Sequence, residues 1–496
     1  MSKSFDELRQ LHKEFIYRGY SIQRMPGADA GACDIYHIEY DMEISGLSSF
    51  TAKWDFPVTA AGSSVSARER EDLTDDPIFN TLVFHLGLVE CISYYKIACP
   101  KRFVIRCGSL SADRIVWWRK LIYNGLGEFM YRNGIDVTEE ELVDIICNPN
   151  EGKAAASDSA QALSAVMSGA DTAPIFHDTH TYSGCLTPVG GGKDSVVSLE
   201  LLKDKDIITY TVNGNDTTRA VIDLCTHKTG DYVASRRLDR RMLDLNAQGY
   251  LNGHTPFSAI VAFSSVIAAY ILGRKYITLS NESSANETTV RDSFVNHQYS
   301  KSYEFECDFN GYMQGITDSD IRYFSMLRPL SEMQIAALFA GFTGYHKVFR
   351  SCNAGSKQGI WCCNCPKCLF VYIILSPFLS EEALGDIFGE KLLDKESLDR
   401  DFRELIGIDE NKPFECVGTR REVASAMRSY RAHGGRSLLT DRYADYIDGP
   451  SGADPVSILL TEWCDEHNVP EELAQVVRNA ITAAAADYSL YIRRPV

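Results

Sequence analysis

Apolar and polar residues alternate along 34–44 and again along 49–58, the two-residue period of strands that bury one face. Both stretches predict antiparallel strands. Two apolar, aromatic stretches follow, at 79–99 and at 115–131, and both predict helices. The second carries Trp117, Trp118, Tyr123, Phe129 and Tyr131, whose spacing suits a core better than a ligand box. Residues 1–150 are therefore expected to form an α+β domain. Between 148 and 173 the composition shifts to Ala, Ser, Gly and Asp, which predicts a linker over 151–175.

Beyond about residue 178 the pattern changes to short apolar runs alternating with helical segments. Strands are expected at 185–189, 207–212, 232–238 and 275–279, with helices at 195–203, 217–227 and 257–272. That alternation predicts an α/β domain over 176–380, built on a doubly wound parallel sheet with ligands at the carboxyl ends of its strands. The tips 213–215 and 280–282 would then share a side with the turn after the first strand. Residues 381–496 are more polar and read as a helical C-terminal region ending in a helix at 471–491.

The turn after strand 185–189 is Gly190-Gly191-Gly192-Lys193-Asp194-Ser195. Three glycines let the backbone aim several N–H groups at one point, and the following helix N-terminus adds partial positive charge. Such a nest binds phosphate or pyrophosphate. The spacing is neither that of a Walker A loop nor that of a dinucleotide fingerprint.

Composition narrows the partners. The formal net charge of −17, from 50 basic and 67 acidic side chains, argues against nucleic acid and anionic membranes as partners. No apolar run reaches the ~18 residues that cross a bilayer, so no membrane insertion is expected. The N-terminus lacks a signal-peptide core, and a cytoplasmic location is expected. Fifteen cysteines then read as thiols and metal ligands rather than disulfides. Four of them, Cys352, Cys362, Cys365 and Cys368, follow a Cys-x9-Cys-x2-Cys-x2-Cys pattern that suits tetrahedral zinc, with Cys363 expected outside the set. An iron–sulfur cluster is the other occupant that four thiolates allow, though the bacterial ferredoxin continuation is absent.

The glycine turn resembles the pyrophosphate loop (PP-loop) of the ATP pyrophosphatase superfamily, usually Ser-Gly-Gly-x-Asp-Ser, with Gly190 in place of the first serine. The resemblance implies a PP-loop fold and cleavage of ATP between its α and β phosphates. It also implies that Gly190 to Ser195 hold the pyrophosphate, that Asp194 positions Mg²⁺, and that the end of the second strand (Tyr210, Val212, Asn213) meets adenine. The cysteine spacing, and Gly253-His254-Thr255-Pro256 before a long apolar helix, are similar to the deazaguanine-nitrile synthases of that superfamily.

Further stretches resemble the ATP-dependent UDP-N-acetylmuramoyl-L-alanyl-L-glutamate epimerases. They are Trp117-Trp118-Arg119-Lys120-Leu121, Gly125-Leu126-Gly127-Glu128-Phe129, Asn281-Glu282-Ser283-Ser284-Ala285, 296–302, Trp361 with Cys365-Pro366-Lys367-Cys368, and 412–418. This likeness implies inversion of the terminal L-glutamate of a UDP-muramoyl dipeptide, with ATP consumed to AMP and pyrophosphate. For proton transfer it leaves Cys416, Glu415, His297 and Glu282 open, and Lys301 and Arg291 as cations for the substrate. Another ATP-dependent ligase of the superfamily is the alternative.

Overall fold

A computed structural model describes residues 3–27, 33–63, 72–148, 175–286, 299–352, 354–355, 358–410, 412–413, 415, 417–448 and 454–492. The fold is mixed α/β with a large sheet and a helical C-terminal region. Its strands are β1 (Glu14–Met25), β2 (Ile35–Ile44), β3 (Ser48–Pro57), β4 (Arg102–Ile105), β5 (Asp144–Cys147), β6 (Ser183–Pro188), β7 (Ile207–Val212), β8 (Gly230–Arg237), β9 (Arg274–Leu279) and β10 (Arg322–Ser325). Internal contacts divide the chain into two units. The first comprises Met1–Leu186, Thr229–Ile277 and Phe305–Tyr323; the second comprises Thr187–Lys228, Thr278–Glu304 and Phe324–Val496.

In the first unit strands lie in the order β8-β3-β2-β1-β4-β5. The β8-β3-β2-β1 portion is antiparallel, while β4 pairs in parallel with both β1 and β5. The alternation along β2 and β3 is real: Tyr36, Ile38, Tyr40, Met42 and Ile44 are buried, as are Phe50, Ala52, Trp54 and Phe56. Their outward neighbours pair across the strands, with His37 Nδ1 2.6 Å from Asp55 Oδ1 and Arg237 Nη1 2.7 Å from Asp55 Oδ2.

Within 176–380, β6 and β9 pair in parallel, as a doubly wound sheet requires, while β8 runs antiparallel to β3, a strand of residues 1–150. The cause is legible in its residues. Tyr232 and Ala234 are buried while Val233 is 44% exposed, the alternation of a strand with one wet face. By contrast β7 is buried from Ile207 through Thr211, as a strand covered on both faces should be.

Two apolar helices, Pro77–Tyr95 and Phe257–Leu272, pack together in this unit. The first is long and apolar enough to cross a membrane by length and composition, contrary to the expectation that no segment would be. Every residue after Pro77 is buried in the fold. It also carries a charge: Glu90 takes two hydrogen bonds from Arg236, at 2.8 Å each, and one from Trp54 Nε1 at 3.1 Å. Removing one partner of such a pair strands the other without solvent. Arg236→Met should therefore lower stability by roughly 3–5 kcal/mol, read as a fall in the denaturant midpoint. An unchanged midpoint would show that Glu90 needs no cation.

The single helix expected over 115–131 is two, Ala112–Gly125 and Gly127–Arg132. Any Cβ at Gly125 would lie 2.9 Å from the Pro256 ring, so the chain turns where only glycine fits. Of the aromatics expected in the core here, Trp118 and Phe129 are buried, Trp117 and Tyr123 are half-buried, and Tyr131 is 49% exposed, a correction to the expectation. Trp117 stacks on Tyr312 with centroids 4.2 Å apart, and Trp118 Nε1 donates to the Tyr312 hydroxyl at 2.7 Å.

In the second unit the helix Glu332–Ala340 is central. It packs on Lys193–Leu201, on Pro366–Leu375 and on Glu471–Ile492.

Candidate functional site

The glycine turn ends in the helix Lys193–Leu201, with Gly192 as its N-cap. Gly191 sits at φ +87°, in the left-handed region, and a Cβ there would lie 3.1–3.3 Å from Thr217 and Thr218. At Gly192 a Cβ would come within 2.9 Å of Ser351 Oγ. Two segments therefore close on the turn, and the Arg350 N–H donates to Gly191 O at 3.0 Å. Ser195 Oγ donates back to Gly192 O at 2.9 Å, so its hydroxyl braces the turn.

Lys193 is buried, with 1% of its side chain exposed, and its ammonium is held between the carboxylates of Asp194 and Glu332. Burial alone would push the lysine down, but the two carboxylates outweigh it and keep Lys193 protonated. For Asp194 burial pushes up, and the charges of Lys193, Lys367 and Lys301 more than reverse this, leaving it ionised. Glu332 is pushed up by burial, Lys193 offsets part of that, and Asp194 and Glu282 push it further up. The arrangement is a buried lysine with one firmly ionised carboxylate and one that readily holds a proton. Glu332 is the member of this centre that sequence reasoning missed. Its only local signal is the capping box Ser331-x-x-Gln334 that starts its helix.

The other expected residues fall around this centre as follows. Glu282 is buried, accepts from Ser284 Oγ at 3.1 Å, and its backbone carbonyl takes Arg328 Nη1 at 2.7 Å. Tyr210 is buried within β7, and its carbonyl accepts from Val189 N–H at 2.9 Å. Val212 is half-buried, and Asn213 is exposed at φ +63° where the chain leaves β7. Between them, Thr211 Oγ1 is buried without a hydrogen-bond partner, an orphan polar atom at the expected nucleotide face. Glu415 is half-buried on the segment ending at Gly418. A Cβ at Gly418 would lie 3.2 Å from the Glu332 side chain and 3.0 Å from Glu422 Oε2. Glu422 in turn accepts from Met333 N–H at 3.0 Å and Thr419 N–H at 2.8 Å, tying that segment to the Glu332 helix. Cys416, His297 and Arg291 lie outside the described residues. The Gly253–Pro256 stretch belongs to the other unit, where Lys96 Nζ donates to Gly253 O and, at 2.7 Å, to Thr255 Oγ1.

Among the described residues, Cys352, Cys362, Cys365 and Cys368 form a group able to hold a metal, their sulfurs all within 4.8 Å of one another. Cys365 and Cys368 sulfurs are 3.5 Å apart, and those of Cys362 and Cys368 3.6 Å. A tetrahedron with zinc–sulfur bonds of ~2.3 Å has edges of about 3.8 Å, so the four thiols fit the ion. Cys363 stands apart, its thiol donating to Phe388 O at 3.3 Å.

A glycine turn feeding a helix N-terminus, beside a buried lysine and two carboxylates, is an α/β arrangement whose backbone N–H groups can take an anion. Comparison with known proteins specifies it. The profile of the MurL N-terminal domain matches residues 10–326 and that of the MurL C-terminal domain matches 348–439. A UDP-N-acetyl-alpha-D-muramoyl-L-alanyl-L-glutamate epimerase from Xanthomonas oryzae pv. oryzae is 34% identical, over 79% of this chain and 84% of its own. Proteins of the same name from Salinispora tropica and Micromonospora sp. are 36% and 35% identical, each over 69% of this chain and 71% and 73% of theirs. The chain belongs to the MurL family.

Proposed function

We propose that this protein inverts the terminal L-glutamate of UDP-N-acetylmuramoyl-L-alanyl-L-glutamate, using ATP to activate the carboxylate beside the inverted carbon. The observation that carries the reading is the Lys193–Asp194–Glu332 centre on a glycine turn, in a chain of this family.

The chemistry has a physical logic. An α-hydrogen beside a carboxylate resists removal, because a second negative charge would form next to the first. A carboxylate oxygen attacking the α-phosphorus of ATP expels pyrophosphate and gives an acyl adenylate, whose acyl carbon no longer bears the carboxylate charge. A side-chain base can then take the α-proton. Return of a proton to the opposite face, followed by attack of water at the acyl carbon, yields the D-glutamate carboxylate and AMP. The backbone N–H groups of Gly190 to Ser195 suit the pyrophosphate, and the turn at Tyr210 to Asn213 suits the nucleoside, where Thr211 has an unsatisfied hydroxyl. Asp194, ionised and 28% exposed, suits a Mg²⁺ that offsets phosphate charge. The four cysteines suit a structural zinc. Cys416, Glu415, His297 and Glu282 remain the candidates for proton transfer, and of these Glu282 is the one whose charge pushes Glu332 up.

The test is the UDP-muramoyl dipeptide with ATP in ²H₂O, followed by chiral analysis of the glutamate. Deuterium is expected at the α-carbon only when ATP is present, and not with its α,β-methylene analogue. Cys416→Ala should slow that exchange more than it slows pyrophosphate release. Equal losses would move the base to another residue, His297 first. Exchange without ATP would overturn the mechanism.

A further inference from the structure

We propose that Glu422 is a positioning residue of the nucleotide site: by fastening Gly418 against Glu332 it keeps Glu332 on Lys193, and so leaves Asp194 open to a divalent cation. The proposal rests on the ATP reading above. All of its residues belong to the second unit.

Glu422 is buried, and each of its two carboxylate oxygens serves a different helix. Oε2 accepts from Thr419 N–H and from Thr419 Oγ1, both at 2.8 Å, which completes the capping box of the helix Arg420–Ala432. That bond is local. Oε1 instead accepts from Met333 N–H at 3.0 Å, across 89 residues of sequence. Met333 is the second residue of the helix Glu332–Ala340, which has a capping box of its own in Ser331 and Gln334. The box leaves the Met333 N–H over, and Glu422 takes it. Burying a carboxylate is costly, and capping one helix would not need this second reach. One acid thus joins two helix N-termini.

The joint holds Glu332 in place. A Cβ at Gly418 would lie 3.2 Å from Glu332 Cβ and Cγ, so the backbone next to Thr419 packs directly on that side chain. Lys193 meets the same side chain, its ammonium donating to both Glu332 and Asp194. An oxygen of Glu332 accepts from Lys193 whether or not the acid also holds a proton. The two acids therefore divide one ammonium. If Glu332 draws back, Lys193 is left with Asp194 alone, and a carboxylate taken up by a buried ammonium is a poorer ligand for a divalent cation.

The experiment measures ATP binding to the full chain by calorimetry, with Mg²⁺ and then in chelator, alongside a thermal melt. Glu422→Gln keeps the volume but turns an NH₂ group onto the donors of one helix. It should shrink the gain in ATP affinity that Mg²⁺ gives by about three- to tenfold, the range of a coupling between side chains in contact. Binding in chelator should change less. Gly418→Ala keeps every donor to Glu422 but crowds both acids, and should shrink the gain too. Thr419→Val is the contrast: it loses the local cap and keeps the bond to Met333. It should melt lower with the Mg²⁺ gain of the wild type. The proposal fails if Glu422→Gln folds and keeps the full gain, or if Thr419→Val loses as much of it. Should Glu422→Gln not fold, Gly418→Ala decides by the same measure. Wild-type protein that binds ATP with no gain from Mg²⁺ would overturn this proposal alone. Wild-type protein that binds no ATP would overturn the ATP reading, and this proposal with it.

Discussion

Asp194→Ala is expected to cut AMP formation by at least about 10²–10³-fold, the range seen when a preorganised charge is removed from a reacting phosphate or oxyanion. The fold should survive the change. Asp194 occupies the first turn of its helix, but the cap is the backbone of Gly192, not this side chain. Losing an acid there costs roughly 0.3–1 kcal/mol through the helix dipole. Lys193 keeps its second partner, Glu332, so no buried ammonium is left bare. A native circular-dichroism spectrum together with lost AMP formation is the expected pair of results. Near-normal AMP formation by this variant would remove the phosphate-loop assignment.

The second large effect is on stability. Cys365→Ser should lose the bound metal and lower the melting temperature sharply, because a closed four-thiolate site contributes its binding energy to folding. Structural zinc in small peptides is worth ~10–16 kcal/mol of apparent binding energy, of which this larger core needs only part. Serine is an apt replacement, because Cys365 also caps the helix Pro366–Leu375 and a serine oxygen fills that role well. The loss then reports on the metal rather than on the cap. Elemental analysis and a thermal melt decide it. A variant that keeps its metal, or a wild type that never held one, would refute the claim.

Elements with a clean period were legible from the residues. The alternation at 34–44 and 49–58 corresponds to β2 and β3, and the apolar run at 257–272 is the helix Phe257–Leu272. β1 escaped because its period breaks at a bulge between Tyr17 and Gly19. β4 and β5 have four residues each, too few for any period to register. The site was half legible for a related reason. A glycine turn and a cysteine pattern are local, each within its own short stretch of chain. Glu332 meets Lys193 across 139 residues, and nothing near it in the sequence marks that meeting. Gly418 likewise looks like an ordinary loop glycine until a Cβ there is seen to lie only 3.0–3.2 Å from the Glu332 and Glu422 side chains.

The burial of Glu90 has a consequence for how the chain is made. The helix that carries it is finished early in synthesis, whereas its counter-ion, Arg236, comes 146 residues later. At ~5–20 residues per second that interval is about 7–30 s. During it the nascent chain presents a long apolar helix with an unpaired carboxylate, the kind of surface that ribosome-bound chaperones retain and membrane-targeting factors sample. The carboxylate weakens the segment as a candidate for insertion, since an acid at the centre of a bilayer-spanning helix costs roughly 2.5–3.5 kcal/mol. The acid that opposes insertion of this segment is thus the same one that anchors Arg236 in the folded chain.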